Sequence, residues 1–173
     1  PRIDMAEKVT GAAKYGSDIA LEGLRFATVK INPKHAGMKS FDASAAKAMP
    51  GVEKIIDLGN GFAVVATNTW LAMQAAEAVD VIWDAAPYPQ TSDTMQKAFV
   101  AALAKPPDAV EQKTGDADGP HGGTMVNAEY SLPWLAHASK EPMTATALFE
   151  GGKLMVWAGN QAPLSAQKAC AEA

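Results

Sequence analysis

Two apolar runs joined by a three-residue turn set the first constraint on this chain. Residues 52–58 (VEKIIDL) and 62–66 (FAVVA) flank Gly59-Asn60-Gly61. β-Branched and aromatic residues on either side of an Asn-Gly turn are a strong short-range signal for a β-hairpin. An isolated hairpin is marginal in water, so these strands need other elements to cover them. The neighbouring sequence offers them. Residues 24–31 (LRFATVKI) alternate as a strand, with Leu24 and Phe26 on one face and Val29 and Ile31 on the other, and Asn32-Pro33 ends it. Residues 41–51 (FDASAAKAMPG) predict a short helix, with Asp42 able to cap its first amides and Pro50-Gly51 stopping it. Asn68 or Thr69 caps a helix from Trp70 to about Val79, whose Met73, Ala76 and Val79 repeat at the helical period and are expected to face a core. Strand character returns at 79–84 (VDVIWD). The order β-α-β-β-α-β predicts an α+β unit.

The flanks differ. Residues 1–23 read as polar and loop-like, punctuated by Gly11, Gly16 and Gly23. Residues 85–125 are rich in proline and glycine, but 92–105 (SDTMQKAFVAALAK) predicts one helix, with Ser92 as its cap and Met95, Phe99 and Leu103 on one face. That face is expected to pack against another domain. The rest, 106–124, reads as a long surface connection. Residues 125–133, 143–150 and 153–158 are strand-like, Gly151-Gly152 signals a hairpin between the last two, and Pro163 opens a closing helix. There is no initiator Met, and the sequence stops within that helix without a Gly, Asn or Pro signal, so an interior piece of something longer is expected.

Several chemistries find no support. The net charge is −4 with no Lys/Arg run, which does not suggest a nucleic-acid surface. No stretch reaches the ~18 consecutive apolar residues of a membrane helix, because Gln74, Glu77 and Asp80 interrupt the best candidate, Trp70 to Trp83. The single cysteine, Cys170, forms no internal disulfide, and nothing nearby in sequence would activate it. There is no GxSxG elbow and no P-loop, and Gly59-x-Gly61 lacks the third glycine of a dinucleotide fingerprint. His35, His121 and His137 lack metal-ligand spacing and read as surface or structural residues. His121-Gly122-Gly123 has the look of an oxyanion-hole segment but, without a nucleophile, reads as a turn. Glu141, before Pro142, could be a buried acid, but by default reads as a carboxylate capping a turn or paired with a lysine. Gln161 lies between a strand and a Pro-started helix. Its amide donates and accepts at once, which suits an oxo group or a polar substrate, although such a glutamine by default satisfies backbone groups.

Three segments together resemble a known family. Residues 1–29 carry Lys8-Val9-Thr10-Gly11, Tyr15 and Asp18, similar to the opening of the hammerhead domain of the xanthine dehydrogenase/aldehyde oxidase family, with Glu22-Gly23 in place of the usual Pro-Gly. Residues 41–56 and 62–84 match that domain's Asp-x-Ser-x-Ala, Pro-Gly-Val and Val-x-Trp-Asp landmarks. Residues 130–147 and 156–167 resemble the first strands of the molybdenum-binding part, with His137-Ala138-x-x-Glu141-Pro142 and Trp157-x-x-x-Gln161-x-Pro163. The Pro-Trp-Leu-Ala-His-Ala and Gln-Ala-Pro forms are most similar to the isoquinoline 1-oxidoreductase β-subunit branch.

The resemblance implies a hammerhead-type α/β domain over 1–85, a connector with one helix over 86–125, and the N-terminal part of a molybdopterin-binding domain over 126–173. It implies hydroxylation of an N-heteroaromatic or aldehyde carbon with water as the oxygen source. The cofactor of the full protein would be molybdopterin cytosine dinucleotide with molybdenum, handing electrons to [2Fe-2S] clusters on an iron–sulfur small subunit and onward to an acceptor such as a cytochrome c. Gln161 matches the family glutamine beside the molybdenum. No residue here is expected to ligate the metal, and the catalytic base and the glycine-rich metal-cradling loop are expected outside these residues. The piece would therefore need the remainder of its own chain, and alone it is expected to be inactive. The branch hints at a periplasmic or partner-mediated membrane location, the alternative being cytoplasmic. The rival readings are a stand-alone, non-enzymatic interaction module of hammerhead shape, and a small hydrolase using His137 and Glu141.

Overall fold

A computed structural model describes residues 2–116, 119, 122–139 and 141–173. The elements run α1 (Met5–Thr10), a 3-10 turn (Gly16–Asp18), β1 (Phe26–Ile31), β2 (Met38–Asp42), α2 (Ser44–Lys47), β3 (Val52–Asp57), β4 (Gly61–Ala66), α3 (Thr69–Glu77), β5 (Asp80–Trp83), α4 (Ser92–Leu103), β6 (Ala145–Glu150), β7 (Lys153–Ala158) and α5 (Pro163–Glu172). The architecture is α+β, as the sequence pattern predicts. Two units form: Leu24–Gly123, and residues 1–23 together with Thr124–Ala173.

In the unit spanning Leu24–Gly123, the expected hairpin is the scaffold. β3 and β4 pair antiparallel from Val52↔Ala66 to Asp57↔Phe62, with a bulge between Val52 and Lys54. The Asp57 carboxylate accepts the Gly59 amide at 2.8 Å, and the Gly61 carbonyl accepts the Leu58 amide at 2.9 Å, which closes the turn. β1 pairs with the other side of β4, so the sheet order is β1-β4-β3. β2 and β5 form a separate antiparallel pair. Residues 38–42 do not stand out as a strand in the sequence. They become one because Phe41 and Asp42 pair with Val81 and Asp80, a partner far along the chain. The short helix is correspondingly reduced to Ser44–Lys47, and Asp42 serves its start by accepting the Ser44 amide (2.8 Å) and hydroxyl (2.6 Å). Those bonds, the hydroxyl foremost, lower the Asp42 carboxyl below its ordinary range.

A ring stack joins the sheet to the strand pair. Phe62 on β4 lies 5.6 Å from Phe41 on β2 and 6.4 Å from Trp83 on β5, centroid to centroid, with the planes within 10° of parallel. Val64, Ala43, Ala46, Ala75, Ala76 and Val79 complete the buried cluster around it. The Asn68 side chain caps α3 by accepting the Leu71 amide at 2.9 Å. α3 lies on β1 and β4 through Ala72, Ala75 and Ala76, while Met73, expected in the core, remains 47% exposed. Small side chains win this face because they allow close helix-to-sheet approach; Met73 points off it. Among the described residues, Asn32 is the buried polar one. Its amide donates to the Gly37 and Asp84 carbonyls at 3.0 Å each, and its oxygen accepts the Lys34 amide at 2.8 Å. α4 is capped by Thr91 rather than Ser92, in a reciprocal pair with Thr94. Phe99 and Leu103 on its apolar stripe are exposed.

In the unit of residues 1–23 and 124–173, a helix forms at Met5–Thr10 where a loop was expected. It buries no residue, so it lacks the apolar periodicity that marks helices in sequence. Gly11 caps it in the left-handed region (φ 74), and the Asp4 carboxylate pairs with Arg2 (3.0 Å) and Lys8 (2.6 Å). Residues 125–133, expected as a strand, form none, and no described segment pairs with them. β6 and β7 form the expected hairpin, from Ala145↔Ala158 to Glu150↔Lys153, and Gly151-Gly152 turn it with positive φ at both residues.

Two outcomes follow. Phe62→Ala removes the middle ring of the stack and is expected to cost about 3–5 kcal/mol in urea unfolding; a loss under about 1 kcal/mol would refute the role given to the stack. The Lys8 and Arg2 hydrogen bonds hold the Asp4 carboxyl at about 2, against an ordinary 3.8. A lowered carboxyl pKa stabilises the folded form above the ordinary value and stops doing so as pH falls through about 2. Carbon-detected NMR should place the Asp4 midpoint there, and Lys8→Ala should move it upward.

Candidate functional site

The β7–α5 turn is built to hold a side chain outward. β7 ends at Ala158, and α5 begins at Pro163, whose ring is pre-set for a first helical turn. Between them Asn160 acts as a local clamp. Its side-chain oxygen accepts the Ala162 amide at 3.0 Å, and its amide donates to the Ala158 carbonyl at 3.4 Å. Gln161 sits between Asn160 and the clamped Ala162. Its side chain is exposed and forms no hydrogen bond with the described residues, so the alternative in which it satisfies backbone groups is not the arrangement seen. A primary amide held this way offers one donor group and one acceptor to whatever lies opposite.

Beside this turn, α5 and one face of the β6–β7 hairpin enclose a groove of about 1030 Å³, lined by Phe149, Leu154, Val156, Pro163 and Cys170 among others. Asn160 borders it; Gln161 does not. Cys170 is a half-buried free thiol among these lining residues.

Glu141 has a structural task that sequence spacing left open. Its carboxylate accepts the Gly16 amide at 3.0 Å across 125 residues of chain. The Thr146 hydroxyl donates to the Gly16 carbonyl at 3.4 Å, so both backbone groups of Gly16 are held by this segment. A Cβ on Gly16 would stand 2.6 Å from the Thr144 hydroxyl, which is buried without a hydrogen-bond partner among the described residues. Any larger residue there would force the Thr144 hydroxyl to move. No signal in the sequence links Gly16 to Glu141, because the pairing is non-local.

The other sequence candidates do not converge. His137 is exposed, and so is His35, in the left-handed region at φ 52. His121 lies outside the described residues, while Gly122 and Gly123 of the same segment are exposed. Among the described residues no three His, Cys, Asp or Glu side chains gather into a metal-binding group. A hydrolase using His137 and Glu141 gains nothing from this geometry, since the Glu141 carboxylate is engaged with the backbone.

Comparison with known proteins follows the motifs. No family model matches the chain. It is 29% identical to a nicotinate dehydrogenase component of Pseudomonas putida, over 94% of this chain and 15% of that protein. It is 36% identical to the beta subunit of isoquinoline 1-oxidoreductase of Brevundimonas diminuta, over 56% of this chain and 12% of that protein. It is 26% identical to the aldehyde oxidoreductase molybdenum-binding subunit of Escherichia coli, over 92% of this chain and 26% of that protein. The chain thus spans about a quarter or less of each relative's length. Over most of its length it is similar to one stretch of the large subunits of molybdenum hydroxylases, the isoquinoline 1-oxidoreductase and aldehyde oxidoreductase kind within the xanthine dehydrogenase/aldehyde oxidase family.

Proposed function

We propose that this chain is a scaffold segment of a molybdenum-dependent hydroxylase that oxidises an N-heteroaromatic or aldehyde carbon with oxygen drawn from water. The observation that supports this reading is the similarity to the nicotinate dehydrogenase component along 94% of the chain, with the resembling motifs in order. In this reading residues 1–85 are the hammerhead part, 86–125 a connector, and 126–173 the start of the molybdopterin-binding part. The small-subunit [2Fe-2S] clusters, a downstream acceptor such as a cytochrome c and a periplasmic or partner-mediated membrane setting belong to the same proposal.

The residues present fit a role at the edge of a cofactor site rather than around a metal. Gln161 is outward, has no partner among the described residues and is fixed between the Asn160 clamp and Pro163, which leaves its amide available. Bound molybdopterin cytosine dinucleotide would supply the two-electron redox chemistry. Gln161 would hold it in orientation by an amide hydrogen bond, and Asn160 would hold Gln161. The catalytic base lies outside these residues. Glu141 is not that base, because its carboxylate receives the Gly16 amide.

Two measurements test the proposal. The 173-residue chain, produced with a molybdenum supply, should contain no stoichiometric molybdenum by elemental analysis; a stoichiometric content would overturn the scaffold reading. In the complete subunit, Gln161→Ala should lower kcat by about tenfold to a hundredfold while the unfolding midpoint stays unchanged. Unchanged turnover would remove Gln161 from the site.

A further inference from the structure

We propose that Asn60 is a hydrolytic modification site, losing its side-chain amide through a cyclic imide formed with the backbone of Gly61. In the first step the Gly61 nitrogen attacks Cγ of Asn60. The new N–Cγ bond forms, the Cγ–Nδ2 bond breaks, and the side-chain nitrogen leaves as ammonia with the Gly61 amide proton. Water then opens the ring at one of its two carbonyls. One opening yields aspartate; the other yields isoaspartate, in which the main chain runs through the former side-chain carbon and is one carbon longer. Water is the only co-reactant.

The turn supplies an exposed asparagine directly ahead of a glycine, with Gly61 itself buried at the start of β4. Asn60 is exposed in the turn between β3 and β4, outside both ladders, and its side chain makes no hydrogen bond with the described residues. Gly61 has no side chain to shield the attacking nitrogen. Nor can the position be relieved by substitution. A Cβ on Gly61 would lie 2.2 Å from the Lys30 carbonyl oxygen and 3.1 Å from the Ile31 Cα, so the β1–β4 pairing demands glycine there. The packing requirement and the chemical susceptibility are one constraint.

The other four asparagines each lack a condition. Asn32 is buried and precedes Pro33, which has no N–H. Asn68 and Asn160 are engaged by the Leu71 and Ala162 amides and precede Thr69 and Gln161. Asn127 is exposed but precedes Ala128, whose methyl crowds the nitrogen. An isoaspartate at 60 would lengthen the link that now lets Leu58 bond to Gly61 at 2.9 Å and Asp57 pair with Phe62, and so would disturb the strand that carries the central ring.

The test is ageing of the folded chain at mildly alkaline pH, with peptide mapping by mass spectrometry and fragmentation that separates aspartate from isoaspartate. Conversion at Asn60 should run about tenfold ahead of Asn127, with isoaspartate among the products. Equal rates at the two positions, or an intact Asn60 while Asn127 converts, would overturn the proposal. Asn60→Asp carries the charge without the longer backbone. Aged wild-type protein should unfold at lower urea than Asn60→Asp; matching midpoints would overturn the claimed effect on the ladder.

Discussion

One ring between two others holds the larger unit together. Phe62 stands on the central strand of a three-stranded sheet, and its ring stacks with Phe41 and Trp83 from a strand pair that belongs to a separate ladder. Ladder bonding organises each sheet internally but does not join them; apolar burial does. The stack sets where β2 and β5 lie, and Ala43, Ala46, Ala75 and Val79 fill the space this leaves. At the polar end, the buried Asn32 amide donates to the Gly37 and Asp84 carbonyls, and the Asp84 amide donates to the same Gly37 carbonyl, which ties the ends of β1 and β5 to the residues before β2.

Elements with local signals were legible in the sequence. The β3–β4 and β6–β7 hairpins, α3 and α5 announce themselves through turn glycines, caps and Pro163, all within a few residues. What failed depends on distant partners or on none. β2 exists because β5 returns to it, while residues 125–133 have strand-like composition and no neighbour to pair with among the described residues. α1 has no buried face, so its stability comes from charge and a glycine cap that periodicity does not register. Met73 and Ala72 are adjacent positions about a hundred degrees apart on a helix, and side-chain size rather than hydropathy chose between them.

The candidate site divides in the same way. That Gln161 falls on a strand-to-helix turn was readable from residues 153–163 alone. Its proposed chemistry was not, since an amide has many uses and only the likeness to molybdenum hydroxylase subunits narrows them. The Asn160 clamp that holds the turn is local and carries a recognisable signal, an Asn two residues ahead of the amide it binds. The Glu141–Gly16 bond spans most of the chain and has none.

The alanine face of α3 has an evolutionary consequence. Ala72 and Ala75 are fully buried against the sheet and Ala76 nearly so, which leaves no volume for anything larger. Drift at these positions is therefore one-sided: shrinking to glycine weakens the helix, whereas growth lifts it off β1 and β4. Lineages carrying this unit would keep a run of small residues here while the outward positions, Met73 and Trp70 among them, vary freely.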